Sequence, residues 1–521
     1  MASQCFFSGA LQQCQSIAAR PRVGIHLFML ILFLALSTAH AQSGATAQRK
    51  SVSNLTVAEL MSLRRGVAQM MARNSAPHGS ADYRRSWVYW VNMHLHFGND
   101  CAGPIVGSGM TGIQTFTASN ADETATWCSC EHGTNQFLTW HRMYLWYFER
   151  VLRDAAGDPS LRLPYWDYET NAGLPAAYRD ATYLNEHGQT VPNPLRVNVR
   201  QPGLNNGSSS LSSGVTSTAG AMARTSLSTF SSTLEDTPHG AVHCAMVTGG
   251  CPNGLMGSVP VAALDPIFYA HHTNIDRLYE CWLHVNESAR LPNNPTQLDT
   301  LFTFVDADGS TPQRRVGDML TTSQLGYTYA EGGGCPAAPR PEALVQTATV
   351  TDNAAMAPAP EQVLAATGPT RLDPSLTTVP LALSVPGRQA LELQQRASSP
   401  SRTYVVIDGL QYDGAPGGLY NVFLQGAGGR REQIGVINFF SLAPSGSGDH
   451  AGHGGHLRTR RDFRFDVTET VKQLNISGDA QPSLIFEPTT GLTGTSAEAV
   501  APQMNAQANV RFESARLVST P

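Results

Sequence analysis

The sequence predicts a mainly α-helical domain followed by a β-sandwich. Its first part contains long segments in which apolar residues recur at helical spacing, whereas its last part contains short alternating segments bounded by turn residues. A stretch rich in Pro, Ala and Thr, Pro336–Pro380, separates the two regions and has little periodicity. The predicted boundaries are a leader at residues 1–41, a helical domain at 42–332, a linker at 333–380 and a β-sandwich domain at 381–521.

Composition and charge indicate which kind of molecule the protein binds. The 521 residues are enough for two or three domains, and 41% hydrophobic with 14% charged residues is typical of a globular protein with a sizeable core. The formal net charge is only -5, and no stretch interleaves basic with aromatic residues. Nucleic acid is therefore a poor partner, and small molecules are the expected ones.

Residues 1–41 are predicted to be a secretory signal peptide. They contain no Asp or Glu, and the apolar run Val23–Leu36 is followed by Ala39-x-Ala41, a cleavage motif that ends before Gln42. A retained anchor is one alternative, although the run is short for a membrane span, and a two-part organelle transit peptide is another. We therefore expect a secreted or periplasmic protein, with an organelle lumen as the lesser alternative and no membrane association after cleavage.

Three helices are predicted in the first third of the chain. The first spans Ser53–Arg73, and either Asn54 or Thr56 serves as its cap. The next two are Trp87–His94, which would place a histidine at its C-terminal end, and Phe137–Leu152. We expect these helices to form the centre of the helical domain.

The middle of the chain is predicted to be less regular. Residues 186–233 are rich in Ser, Thr and Gly, which predicts a long surface excursion. A helix is predicted to start near Thr237-Pro238, because proline suits the first helical turn, and another spans Asp276–Val285. The strands of the sandwich are predicted at Tyr404–Gly409, Leu419–Leu424, Ile434–Phe440, Phe463–Val467 and Ala508–Leu517.

Histidines occur in two groups that each could bind a metal ion. A single histidine is more often a packed core residue than a ligand, but these are not single. His239 and His243 lie four residues apart, on one face of a helix, and the adjacent pair His271 and His272 follows them. This arrangement predicts three ligands for one ion.

The second group lies earlier in the chain. It consists of His132 and His141, with either His94 or His96 before them. Two sets of three imidazoles suit copper or zinc, and trigonal nitrogen sites with open positions favour reactive copper over a closed structural metal. A structural zinc site would use four ligands and often cysteine, and the absence of a His-Glu-x-x-His pattern disfavours a zinc hydrolase.

The motifs around the histidines resemble those of a known family. They are His132-(eight residues)-His141-Arg142, Leu163-Pro-Tyr-Trp-Asp167, His239-x-x-x-His243 and Asp265-Pro-Ile-Phe-x-x-His271-His272-x-x-x-Asp276-Arg277. Together they resemble the type 3, binuclear copper family of tyrosinases, catechol oxidases and haemocyanins, over about residues 85 to 330. Phe304–Tyr329 and the strands at Val406 and Arg464 resemble plant-type polyphenol oxidases and their C-terminal shielding domain. The resemblance implies a four-helix bundle that holds two copper ions.

Ligand roles follow from the resemblance. It implies that the first copper binds His94, His132 and His141, and that the second binds His239, His243 and His272. His96 remains the alternative to His94. His271 becomes a supporting neighbour, and Asp276 is placed to orient an imidazole through its other nitrogen, with a salt bridge to Arg277 as the alternative.

Cysteines add a further expectation. Removal of the leader with Cys5 and Cys14 leaves seven, an odd number. Family members with a Cys-x-His motif carry a thioether bond between the two side chains. Such a bond between Cys130 and His132 would account for one of the seven sulfurs. The alternative is that Cys130 forms a disulfide and Cys128 is unpaired. The pairs expected with the thioether are Cys101–Cys128, Cys244–Cys251 and Cys281–Cys335.

The resemblance also implies an activity, the oxidation of o-diphenols to o-quinones by dioxygen. Glu235 matches a family position that holds a water near the copper, and Val259 stands where a bulky aromatic is often found, so the entry would be open. Gly240 replaces an Asn of some monophenol hydroxylases, which leaves hydroxylation in doubt. We expect a latent proenzyme that a protease activates; the alternative is a haemocyanin-like oxygen carrier. The single copper unit, Val259 and the linker favour the enzyme.

Overall fold

Helices dominate the N-terminal part of the structure and strands the C-terminal part. The computed structural model describes residues 47–94, 121–127, 129–330, 335, 361–396, 401–445, 458–476 and 481–520. The predicted leader, His96, Cys101 and Cys128 lie outside these residues. Within the described ranges, no helix combines the length and apolar character needed to cross a membrane.

Seven helices define the architecture of the described residues. They are α1 (Val57–Ala72), α2 (Trp87–His94), α3 (Phe137–Ala156), α4 (Leu227–Leu234), α5 (Ala241–Ala245), α6 (Ile267–His284) and α7 (Val385–Arg396). Shorter helices are found at Ala81–Arg84, Ala121–Trp127, Ala176–Arg179, Pro202–Asn205, Ser213–Thr216, Ala219–Met222, Glu287–Arg290, Pro295–Asp299, Thr322–Leu325, Thr468–Gln473 and Ala497–Val500.

Local signals explain where the first long helices begin and end. Thr56 is the cap of α1, because its hydroxyl accepts a hydrogen bond from the backbone of Glu59, whose carboxylate accepts one from the backbone of Thr56. Helix α3 runs one turn beyond its predicted end and stops at Gly157, which adopts a left-handed conformation with φ of 60°. Helix α1 packs against α3, and α3 against α6.

Helix α6 begins nine residues earlier than the predicted Asp276, so the histidine pair lies inside it. Asp265 explains the earlier start: its Oδ1 accepts a hydrogen bond from the backbone of Ile267 at 3.2 Å. Arg200 holds the same carboxylate through two hydrogen bonds of 2.8 and 2.6 Å. The buried ion pair between Arg200 and Asp265 fixes the position at which α6 begins.

Residues 186–233 are not a surface excursion as predicted. Leu204, Leu211 and Phe230 are buried, and Leu211 forms a β-bridge with Leu492 of the C-terminal part. Small residues here allow close approach of the two parts of the chain, since a Cβ on Gly214 would lie 2.2 Å from Nε2 of Gln433. The Ser- and Gly-rich composition therefore reflects tight packing rather than exposure.

Two antiparallel sheets form the C-terminal domain. Their strands are β1 (Gln362–Thr367), β2 (Thr377–Pro380), β3 (Ala382–Leu383), β4 (Arg402–Leu410), β5 (Leu419–Gln425), β6 (Arg431–Ile437), β7 (Arg461–Asp466), β8 (Ser483–Thr489) and β9 (Ser514–Thr520). The first sheet has the order β3-β1-β9-β4-β7, and the second β6-β5-β8-β2. Side chains such as Val405, Val422, Phe486 and Leu517 share one core between them. The predicted fold class, a helical domain followed by a β-rich one, is confirmed.

The start of the sandwich differs from the prediction. Residues 362–380 were assigned to the linker, yet β1 pairs with β9 and β2 pairs with β8. Strand β1 shows no alternation of apolar and polar residues, and its place in the sheet comes from pairing with a strand some 150 residues later. The predicted linker therefore ends before Gln362.

Short strand pairs complete the described structure. Ala47–Arg49 pairs in parallel with Tyr327–Tyr329. The antiparallel pairs are Thr182–Leu184 with Thr190–Pro192, Leu301–Thr303 with Gln313–Arg315, and Thr370–Arg371 with Arg511–Phe512.

The parallel pair builds a buried ionic network on Asp276. One carboxylate oxygen accepts hydrogen bonds from Tyr327 and Tyr329 at 2.5 Å each and from Arg49 at 3.3 Å. The other accepts one from Arg142 at 2.5 Å. Burial opposes ionisation, but Arg142 and Arg49 outweigh it and hold the pKa of Asp276 below its ordinary value.

The expected role of Asp276 is therefore wrong. Among the described residues its carboxylate accepts hydrogen bonds from arginines and tyrosines and from no histidine. The alternative salt bridge to Arg277 is absent as well, since Arg277 pairs with Asp167 at 3.1 Å. Asp276 joins α6 to α3 and to both ends of the helical domain.

We expect Asp276→Ala to destabilise the protein by about 3–5 kcal/mol, because it leaves two buried guanidinium groups without their shared carboxylate. Asp299→Ala is the control: its pair with Arg315 is exposed, and it should cost less than about 1 kcal/mol. Urea unfolding of the full chain measures both. Because the pKa of Asp276 is lowered in the folded protein, the stability lost in Asp276→Ala should be complete above the ordinary pKa of aspartate. This loss should shrink as the pH falls through the pKa that Asp276 has in the folded state. Equal effects of the two substitutions would contradict this account.

Candidate metal centre

The first histidine group lies where α2 ends and α3 begins. His94 is the last residue of α2, His141 lies in α3, and His132 belongs to the segment that leads into α3. The ring centroids of His132 lie 5.1 Å from those of both His94 and His141. All three residues are buried, and their ligand atoms and the sulfur of Cys130 lie within 4.8 Å of one another.

The second group is formed by α5 and α6. Thr237 has extended backbone angles, and the following Pro238 begins a new helical turn that places His239 and His243 on one face. Helix α6 supplies His271 and His272. The ligand atoms of these four histidines also lie within 4.8 Å of one another.

The two groups face each other. The rings of His141 and His272 are stacked, with centroids 4.7 Å apart and an interplanar angle of 12°. His272 also lies 5.0 Å from His239 by centroid, whereas the ring contacts of His271 are with its own group and Tyr168. The six predicted ligands thus surround one interior space.

Backbone carbonyls fix the orientation of four imidazoles. A carbonyl only accepts, so the Nδ1 that faces it must carry the proton, and Nε2 keeps its lone pair for a metal. The pairs are His94 with Val259 at 2.9 Å, His141 with Phe137 at 2.7 Å, His239 with Glu235 at 3.1 Å and His243 with Met256 at 2.6 Å. Nε2 of His239 is buried and has no hydrogen-bond partner among the described residues. This donor set fits a pair of copper ions.

Burial keeps the second group neutral. Desolvation, followed by the neighbouring histidines, lowers the pKa of His239, His243 and His272 well below the ordinary value. Burial lowers the pKa of His271 to about 3. Neutral imidazole is the form that binds a metal, so these residues need not lose a proton to do so at neutral pH.

A side chain of the sandwich domain covers the site. Phe440 follows strand β6, and its ring stacks on His243 with centroids 3.9 Å apart and an angle of 14°. The same ring meets His239 edge-on at 5.3 Å. Asn438 holds this segment in place: its Oδ1 accepts from the backbone of Phe440 at 3.2 Å, and its Nδ2 donates to the carbonyl of Asp236 at 2.9 Å. Sequence reasoning missed Phe440; the aromatic pair that ends the predicted strand Ile434–Phe440 was the signal available.

Val259 does not leave an open entry in this form. It is 3% exposed and packs in the core that includes the sandwich residues. Its carbonyl accepts the hydrogen bond from His94. Val259 therefore contributes to the orientation of a histidine through its backbone, while the cover over the site is Phe440.

Gly240 and Glu235 both lie beside His239. A Cβ on Gly240 would lie 2.6 Å from Oδ1 of Asn438, so the glycine allows the cover to approach. Oε1 of Glu235 accepts a hydrogen bond from the backbone of Gly133, in the loop after His132, at 2.7 Å. Burial raises the pKa of Glu235 to about 7.

The cysteines agree with two of the predicted pairings. Disulfides join Cys244 to Cys251 and Cys281 to Cys335. Cys130 is buried and outside any disulfide, with its sulfur 3.5 Å from Nδ1 of His132.

Comparisons with known proteins agree with this site. The common central domain of tyrosinase matches residues 84–213 and 197–285. Tyrosinase HcTyr1 of Hahella sp. (strain CCB-MM4) is 29% identical over 78% of this chain and 84% of its own length. A chloroplastic polyphenol oxidase, latent form, of Prunus armeniaca is 24% identical over 78% of this chain and 68% of its own.

Solved structures share the fold. Recombinantly expressed latent aurone synthase, a polyphenol oxidase co-crystallized with hexatungstotellurate(VI), aligns with a TM-score of 0.55 at 17% identity and covers 91% of this chain and 90% of its own. Both histidine groups lie inside the ranges that match the tyrosinase domain. The chain therefore carries a domain that matches the common central domain of tyrosinase, and its two buried histidine groups fit a pair of copper ions.

Proposed function

We propose that the protein is a polyphenol oxidase that uses dioxygen to oxidise o-diphenols to o-quinones. The observation that carries the proposal is the pair of facing histidine groups, oriented by carbonyls and buried beneath an aromatic ring. Two copper ions bound there would transfer electrons from the diphenol to dioxygen. The protein's own residues hold the ligands neutral, orient their lone pairs and exclude water.

We propose that His94, His132 and His141 bind one copper, and that His239, His243 and His272 bind the other. The Nδ1 hydrogen bonds to carbonyls support the assignment for four of them. His272 is preferred to His271 because its ring faces both groups. His271 is then a positioning residue packed against Tyr168, with ring centroids 5.7 Å apart.

Substitution of the adjacent histidines distinguishes these roles. We expect His272→Ala to retain about one copper per chain instead of two, since it removes one of three ligands from a single site. His271→Ala is the matched control and should retain both. Metal analysis after dialysis, with circular dichroism to verify folding, measures the difference. The opposite pattern would make His271 the ligand.

Two finer features of the site are also proposed. A thioether between Cys130 and His132 would fix the ring of His132 and account for the odd sulfur; the buried thiol beside that ring supports it. Glu235 is proposed to position a water near the second copper, and its buried place four residues before His239 supports that role.

The sandwich domain is proposed to keep the enzyme latent. A phenol would have to bring its ring to the second copper, where the ring of Phe440 already lies on His243. Contacts beyond the ring hold the cover in place, among them Arg461 with Asp236 at 3.5 Å and Asn438 with the carbonyl of Asp236. Activation would require proteolytic removal or displacement of this domain.

Oxygen uptake with catechol tests the oxidase and its latency together. We expect the copper-loaded full chain to be slow, and limited proteolysis to increase its rate. Phe440→Ala should increase the rate of the uncleaved chain roughly tenfold, because it removes the stacked ring. Phe423→Ala, in strand β5, is the control and should leave the rate unchanged. Reversible oxygen binding without quinone from either catechol or phenol would overturn the proposal in favour of an oxygen carrier.

Gly240 is proposed to favour diphenols over monophenols. In the proteolysed enzyme, Gly240→Asn should raise the rate with phenol relative to catechol, whereas Gly240→Ala adds a Cβ without the amide and should not. Oxygen uptake with the two substrates gives this ratio. Proteolysis comes first because any side chain at this position would clash with Asn438 and loosen the cover. Prompt uptake of phenol by the proteolysed wild type would show that Gly240 is no barrier.

We propose an extracytoplasmic location, with the leader at residues 1–41 removed. The two disulfides suit an oxidising compartment.

A further inference from the structure

A second cavity lies between the two domains, apart from the histidines. It has a volume of about 380 Å³, and its described lining includes no histidine. One wall comes from the segment between Ser213 and Thr237, and the other from residues 433–435 and 463–470 of the sandwich domain. The volume is in the range of cavities that hold small organic molecules.

The cavity contains a buried cation that forms no direct ion pair with any of the described residues. Arg224 lines the cavity and is 7% exposed. Within the part of the chain that the structure describes, its buried Nε has no hydrogen-bond partner, and its Nη2 donates to the backbone carbonyl of Arg464 at 3.4 Å. No acidic side chain among the described residues forms an ion pair with it. A buried charge without a partner is costly, which indicates that something else neutralises it.

The other charged groups of the lining already have partners. These ion pairs are Asp466 with Arg402 at 2.9 Å, Asp236 with Arg461 at 3.5 Å and Arg464 with Glu361 at 2.6 Å. Each pair is neutral when both members are charged. Arg224 therefore leaves the cavity with one net positive charge.

The rest of the lining is mixed, with one apolar patch among serine, threonine, glutamine and charged side chains. Ile434, Phe463 and Phe465 contribute side chains to it. The guanidinium of Arg224 lies 5.1 Å from the ring centroid of Tyr404, so its remaining contact is an aromatic face. A ligand would find one cationic group beside an apolar patch.

We propose that this cavity binds a small organic anion, a monocarboxylate with an apolar body, whose carboxylate pairs with Arg224. The planar guanidinium matches a carboxylate through two parallel hydrogen bonds. One net positive charge suits a monoanion, and the two aspartates of the lining would oppose an anion of higher charge. The apolar patch would accept the body of the ligand.

Bound anion would strengthen the association of the two domains. Because each domain supplies one wall, the complete site exists only while they are docked. A ligand that binds one state alone shifts the equilibrium toward it. The anion is therefore an effector that keeps Phe440 over the copper site. This regulatory role rests on the proposed latency, whereas binding of the anion to the cavity does not depend on it.

Calorimetric titration of the copper-loaded full chain with hexanoate tests the site. We expect hexanoate to bind and hexan-1-ol, which has the same apolar body without the charge, not to bind. Arg224→Met should weaken binding of hexanoate roughly tenfold to a hundredfold, and Arg224→Lys should weaken it less. Ser217→Phe fills the cavity while it keeps the arginine, and should also abolish binding.

The outcomes separate this site from the copper centre. Binding that is unchanged in both Arg224→Met and Ser217→Phe would place hexanoate elsewhere, including on the copper, and overturn the proposal. Failure of hexanoate to bind the wild type would overturn it as well. Hexanoate should slow proteolytic release of the sandwich domain in the wild type and not in Ser217→Phe. Binding without that protection would retain the site and refute its effect on docking.

Discussion

The metal centre depends on hydrogen bonds from imidazole Nδ1 to backbone carbonyls. Four carbonyls, of Phe137, Glu235, Met256 and Val259, each hold one ring in the tautomer that presents Nε2. Two of them lie four residues before their histidine, and two come from the segment between α5 and α6. The geometry of the site therefore follows from the path of the backbone, and burial adds the neutrality that metal binding requires.

Sequence patterns predicted those structural features that depend on the spacing of neighbouring residues. The four-residue interval of His239 and His243, the cap at Thr56 (one of two predicted) and the alternation in strand β5 are each set by a few neighbouring residues. The partners of Asp276 are not, because Arg49 is 227 positions away and reaches it through a strand pair that no periodicity marks. Phe440 was missed for the same reason: its contact with His243 depends on how the sandwich docks.

Gly240 has two consequences that are usually considered separately. Its position beside His239 is the one proposed to bear on the choice between diphenols and monophenols. The same absence of a side chain lets Asn438 approach and secure the segment that carries Phe440. The proposed effect on substrate preference and the fit of the cover are therefore linked in this chain, since any side chain at Gly240 would also meet Asn438.

The burial of the site also sets an order of maturation. The proposed copper ligands are at most 2% exposed, and the ring of Phe440 lies against His243. A hydrated ion has to shed its waters and reach nitrogen atoms that face inward. Copper must therefore enter before the sandwich docks or during a transient opening, and the kinetics of metal loading would report on how often the cover lifts.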